Sequence, residues 1–144
     1  METSQMGRVA EKMLNRCYGK YRGRVIDNND PLNRGRLQVE VRSLMSTTPF
    51  WALPCMPFGG DGMGIFMIPE KDTGVYVEFE GGDINYPIWT GCYWTDNQCP
   101  KDSKVAEPKV RLIKSEKGLT ISLDDQDEVI TISDKNGKIS FPLK

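Results

Sequence analysis

Between Gly35 and Arg42 apolar and polar residues alternate without a break. Leu37, Val39 and Val41 fall on one side, and Arg36, Gln38, Glu40 and Arg42 on the other. A period of two is the pattern of a half-buried antiparallel strand. Thr73–Glu80 repeats it, with Val75, Val77 and Phe79 facing in. Tyr21–Asp27, Phe50–Cys55, Ile65–Ile68 and Tyr86–Gly91 complete a set of five or six predicted strands. The connection Asp27–Gly35 is dense in turn formers. No helical period separates these strands. Short strands in close succession predict a small β-barrel, which leaves no open sheet edge.

Two other patterns flank the barrel. Gly7–Arg16 reads as a short amphipathic helix, with Val9, Met13 and Leu14 near one face. It is too short to persist alone and must dock on something. After the polar stretch Asn97–Pro108, strand-like pieces recur at Val110–Ile113, Leu119–Leu123, Val129–Ser133 and Lys138–Phe141. Leu119, Ile121 and Leu123 alternate with Thr120 and Ser122. Ile130 and Ile132 form a second such stripe, and Ile139 and Phe141 a third. Narrow strands with one apolar face and no second layer cannot bury enough surface to offset their ordering entropy. Sister copies wound about a common axis would cover that face, which implies a cyclic homo-oligomer.

Composition narrows the function. The 144 residues carry a formal net charge of -1, which argues against a strongly basic nucleic-acid binder. The charge is uneven: residues 1–42 sum to +4, 43–98 to -6 and 99–144 to +1. The chain has no histidine, which removes Ser-His-Asp, Cys-His and His-metal chemistry. Met1–Ala10 lacks the apolar core of a signal peptide, and no apolar run is long enough for a membrane span. Synthesis in a reducing, cytoplasmic compartment is therefore expected. Cys17, Cys55, Cys92 and Cys99 form no CxxC pair, so free, mostly packed thiols are expected in preference to a Cys92–Cys99 bridge.

The candidate chemistries fail on context. Gly59–Gly64 is rich in glycine, but no Lys-Ser/Thr follows as a P-loop requires, and a predicted strand follows where a dinucleotide fingerprint needs a helix. Asp27–Asp30 and Asp124–Glu128 are rich in oxygen but lack the layout of a calcium loop, and turn chemistry accounts for both. Glu78, Glu80 and Asp83 lie on a solvent-facing strand and turn, the wrong setting for a glycosidase pair. No catalytic residue, metal site or cofactor is expected. The rival reading is single-strand binding. Arg22, Arg24, Arg34, Arg36 and Arg42 cluster near the first two strands, with Tyr21, Trp51 and Phe58 available for stacking. Trp89, Tyr93 and Trp94 are assigned to core packing.

The run Tyr21–Val41 (YRGRVIDNNDPLNRGRLQVEV) resembles the opening of the oligonucleotide/oligosaccharide-binding (OB) domain of contractile-tail spikes. These are the central baseplate spikes of myophages and the VgrG-type spikes of bacterial injection systems. Gly23, Val25, Asp27, Asp30, Pro31, Gly35, Arg36, Leu37, Val39 and Val41 sit on the family pattern. Trp51–Pro54, Gly64–Pro69, Thr73–Asp83 and Pro87–Gly91 resemble its later steps, with Asp72 at a position the pattern gives to glycine. Lys117–Asp125 and Ile130–Gly137 resemble the start of the trimeric β-helix of these spikes.

The resemblance implies an all-β protein. A short N-terminal helix would precede a small five-stranded OB-type β-barrel, and a short intertwined trimeric β-helix or β-prism stub would follow. The expected division is 1–19 for a docking segment, 20–96 for the barrel, 97–108 for a linker and 109–144 for the stub. It implies a non-enzymatic, homotrimeric structural spike of a virion-tail or injection-system baseplate. Its partners would be hub and tube proteins, a small spike-tip protein and the target cell envelope, with no specific nucleic acid. Leu119, Ile121, Leu123, Ile130, Ile132, Ile139 and Phe141 would line the trimer axis, and Val9, Met13 and Leu14 would dock on the hub. The alternative is an OB-fold module that binds single-stranded nucleic acid or oligosaccharide.

Overall fold

The computed structural model describes residues 5–44, 49–103 and 108–142, without the side chains of 10–13, 138 and 140–142. The chain divides after Tyr93 into two compact units. The first holds helix α1 (Gln5–Leu14), β1 (Tyr21–Asp27), β2 (Leu37–Glu40), β3 (Phe50–Pro54), β4 (Gly59–Gly60), β5 (Met63–Gly64), β6 (Gly74–Phe79) and β7 (Pro87–Cys92). The second holds β8 (Val110–Lys114), β9 (Thr120–Asp124), β10 (Val129–Ser133) and β11 (Lys138–Pro142).

Five strands close into a barrel in the order β1-β2-β3-β7-β6. Four of its five seams are antiparallel, and β3 meets β7 in parallel. Register shifts between Val25 and Asp27, and between Tyr76 and Val77, bend the ribbon as closure requires. The alternating positions fill the interior: Val25, Leu37, Val39, Val41, Ala52, Val75, Val77, Phe79 and Trp89 form the core. This is the all-β, OB-type barrel that the sequence leads one to expect. Leu37 is fully buried. Leu37→Ala is expected to cost about 2–5 kcal/mol, read by urea unfolding, because the closed wall limits collapse into the cavity.

Several local expectations need correction. Ile65–Ile68 is not a strand. The chain makes a small hairpin, with Gly59 opposite Gly64 and Gly60 opposite Met63, and then runs outside the barrel to Pro69. Four apolar residues in a row carry no alternation, and the following proline has no N–H to continue a ladder. Helix α1 begins and ends two residues earlier than the periodicity suggests. Trp94 is exposed and packs in no core, whereas Trp89 is buried and Tyr93 half-buried. The thiols are free, but Cys55 and Cys92 are exposed, and Cys17 and Cys99 are partly covered.

The second unit is one antiparallel meander in the order β11-β10-β9-β8. Local polar groups fix its turns. Asp134 Oδ1 accepts from the N–H of Asn136 and Gly137 at 2.7 and 2.8 Å. Asp124 Oδ1 accepts from Gln126 and Asp127, and Ser115 Oγ from the Leu119 N–H. Gly118 takes φ +85°, a left-handed conformation that glycine adopts without steric cost.

Candidate assembly surfaces

In an antiparallel ladder, directly paired residues point to the same face. The register therefore sorts the meander into rows. Ile113, Ile121, Ile132 and Ile139 form one row across all four strands. Arg111, Leu123, Ile130 and Phe141 form the next. Leu119 shares the parity of Ile121 and Leu123. All seven residues expected on the trimer axis thus fall on one face. The Phe141 side chain itself lies outside the described residues. The opposite face carries Thr120, Ser122, Thr131 and Ser133 with Val110, Leu112 and Val129.

The apolar face is bare. Leu119, Ile121, Leu123, Ile132 and Ile139 are 58, 46, 45, 48 and 63% exposed. Large apolar side chains in two rows at such exposure mark an interaction surface. Arg111 is the charge on this face, and its guanidinium reaches the Asp125 carboxylate at the sheet's end. Sequence reading missed Ile113. Its strand shows no clean alternation, and only pairing with Ile121 assigns its side.

At the other end of the chain, Val9 and Leu14 of α1 are exposed. The Met13 side chain lies outside the described residues. The chain after the helix is tied to the barrel: Cys17 N–H donates to the Gly82 carbonyl at 2.8 Å, and Arg16 donates to that of Gly81 at 3.0 Å.

The barrel's most organised polar site is Asp30, whose side chain is 4% exposed. Its Oδ1 accepts from the Leu32 N–H at 3.0 Å and from Arg36 Nε and Nη2 at 3.0 and 2.7 Å. Its Oδ2 accepts from the N–H groups of Arg34 and Arg36 at 2.8 and 3.2 Å. The Arg36 guanidinium, foremost, holds the carboxyl well below the usual carboxylate range, aided by those N–H groups against partial desolvation. Arg36 also lies over the Trp51 ring, and Trp89 Nε1 donates to the Gly35 carbonyl at 3.2 Å. One carboxylate thus folds the whole Asp30–Arg36 turn onto the barrel. Asp72, at a position the family pattern gives to glycine, has φ +68°, the left-handed conformation glycine would serve.

The basic cluster is largely neutralised where it stands. Arg24 pairs with Asp72 and Glu40, Arg36 with Asp30, Arg42 with Glu40, and Lys20 with Glu78. Arg22 lies over the Tyr93 ring, which contacts Tyr76 at 5.1 Å. Of the three proposed stacking residues, Tyr21 packs edge-on to Phe79, Trp51 lies under Arg36, and Phe58 is exposed on the β3–β6 loop. Asp27 accepts from Lys71, which lowers its pKa and accounts for one oxygen-rich turn. Among the described residues, no group of three or more His, Cys, Asp or Glu is placed to hold a metal ion.

A closed five-stranded barrel with one parallel seam and a turn tied by a buried carboxylate defines an OB-type structural module. The model of the Type VI secretion system/phage-baseplate injector OB domain matches residues 21–94, just over half of the chain. The chain belongs to this family, whose members are structural baseplate domains rather than an enzyme family. A comparison with curated proteins finds no match. The family supports a baseplate or spike-related structural role for the chain.

Proposed function

We propose that the chain is a homotrimeric, non-enzymatic spike protein at the centre of a contractile baseplate. In this reading residues 1–19 dock, 20–96 form the barrel, 97–108 link and 109–144 form a β-helix or β-prism stub. The observation that carries it is the bare apolar face of the meander. A threefold axis brings three such faces together and gives each greasy row a partner. Leu119, Ile121, Leu123, Ile130, Ile132, Ile139 and Phe141 line that axis, joined by Ile113. Val9, Met13 and Leu14 present the α1 stripe to hub and tube proteins. A small tip protein closes the far end, and contraction drives the spike against the target envelope. The family supports residence at a baseplate; its setting in a virion tail or injection system, and cytoplasmic synthesis, are part of the proposal.

The test is mass in solution. Light scattering is expected to give close to three times 16.3 kDa. A stable, folded single chain would sink the reading.

The second reading, a single-strand or oligosaccharide-binding module, draws on the Arg22–Tyr93–Tyr76 cluster on the barrel. The pairing of Arg24, Arg36 and Arg42 with carboxylates disfavours it, because a nucleic-acid groove needs uncompensated positive charge. Titration with a fluorescent oligothymidylate at low and high salt is expected to show no salt-dependent complex. A tight, salt-sensitive one promotes this reading instead.

A further inference from the structure

The loop between β3 and β6 has no role in the assembly proposed above. Its base is packed. Met56 and Ile68 lie against the barrel core, and Asn28 Nδ2 donates to the Pro69 carbonyl at 3.1 Å. A Cβ added at Gly35 would stand 3.4 Å from both Phe66 Cε2 and Ile68 Cδ1, so the returning chain lies directly over the Asp30–Arg36 turn. Its outer part is bare: Phe58, Met63, Ile65, Phe66 and Met67 are exposed, Met63 at 60% and Phe66 at 77%. The tip pairs with itself through the β4–β5 hairpin, and the Ile65 N–H donates to the Phe58 carbonyl at 3.0 Å.

We infer that this arm is a second interchain contact, docking on the barrel of the neighbouring copy in the trimer. The inference rests on the trimeric reading. Three physical arguments choose a sister barrel over a free partner. The first is area. Five side chains at this exposure present on the order of 500 Å² of apolar surface, as large as the biggest patch on a typical monomer. With its counter-surface that makes about 1,000 Å², at the low end for a stable complex between free proteins. The second is tethering. Sixteen residues separate Tyr93 from Val110. Three tails joined on one axis therefore hold the barrels within roughly 50 Å of their own stems. Sister barrels then meet at about millimolar effective concentration, where a patch of this size suffices. The third is symmetry. Contacts around a threefold axis are head-to-tail, so the arm need not match itself. Methionine at the contact suits this, since its unbranched side chain adapts to an irregular surface.

Methionine oxidation by dilute peroxide, read by peptide mass spectrometry on the full-length protein, tests the inference. Met6 on α1 is exposed and serves as the internal reference. In the wild-type trimer, Met63 and Met67 are expected to oxidise about fivefold or more slowly than in the tail variant Ile121→Asp/Ile132→Asp. A second variant, Phe58→Ser/Phe66→Ser, is expected to keep the three-chain mass while restoring fast oxidation of Met63 and Met67. It reads the contact even if the tail variant fails to fold. A wild type with the mass of three chains but with Met63 and Met67 as reactive as Met6 overturns the arm contact and leaves the trimer standing. Protection that appears only on adding purified hub protein overturns it in favour of that partner. A wild type with the mass of one chain overturns both readings, and the mass alone reveals it.

Discussion

The paired substitution Ile121→Asp and Ile132→Asp is expected to release single chains from the proposed trimer. The two residues face each other across β9 and β10, in the middle of the isoleucine row. In a trimer each substitution places a carboxylate on the common axis three times over. Burial of an unpaired carboxylate costs several kcal/mol, so the charged groups protonate or the chains part. Parting is the easier course, since the face is already solvated in one copy. The scattering mass should fall from three chains to one at neutral pH. The barrel should keep its fold, because its core contains neither residue. Near-UV circular dichroism of the buried Trp89 reports on that. A variant that still weighs three chains removes the meander as the seam of the oligomer.

Replacing Asp30 with alanine is expected to do the largest damage to the barrel. Five donors converge on this carboxylate, two of them on a guanidinium that would be left without its partner. The thermal midpoint should fall by on the order of 10 °C for a domain of this size. The pH dependence supplies a sharper readout. Asp30 has a depressed pKa in the folded protein and an ordinary one, near about 4, in the unfolded chain. Its contribution is therefore fully present above that unfolded value. It is lost as the pH falls below about 4 towards the lower folded value. Asp30→Asn, which lacks the charge, should be less stable than wild type at pH 7. The gap should narrow as both proteins are taken to acid. A gap that stays constant with pH would locate the defect in side-chain shape and not in charge.

Much of the barrel was legible because its strands obey one rule. Leu37-Gln-Val39 and Val75-Tyr-Val77-Glu-Phe79 alternate, and the alternate positions are the buried ones. The tail was legible on the same ground. Where alternation stops, the reading fails. Ile65–Ile68 has the composition of a core strand, yet it lies outside because the barrel is already closed by five strands. Ile113 is assigned to the apolar face by its neighbour across the ladder, which a one-dimensional pattern does not contain. Asp30 was read as a turn residue. Its wider role turns on Arg36, six positions on, and on a buried setting that only the folded barrel supplies. Trp94 illustrates the reverse: an aromatic beside a proline and glycine corner suggests packing, but the chain has left the barrel by then.

The parallel seam of the barrel carries a consequence for load. β3 and β7 share two register pairs, Leu53 with Ile88 and Pro54 with Trp89, and one further bond from the Cys55 N–H to the Trp89 carbonyl. Every other seam holds three to five pairs. A wall stitched unevenly tears at its shortest stitching. If the chain serves as the spike proposed above and meets a sudden thrust, survival depends on the force that opens this one line and on how fast it opens, more than on equilibrium stability. Reinforcement against rupture would begin at Leu53 and Ile88.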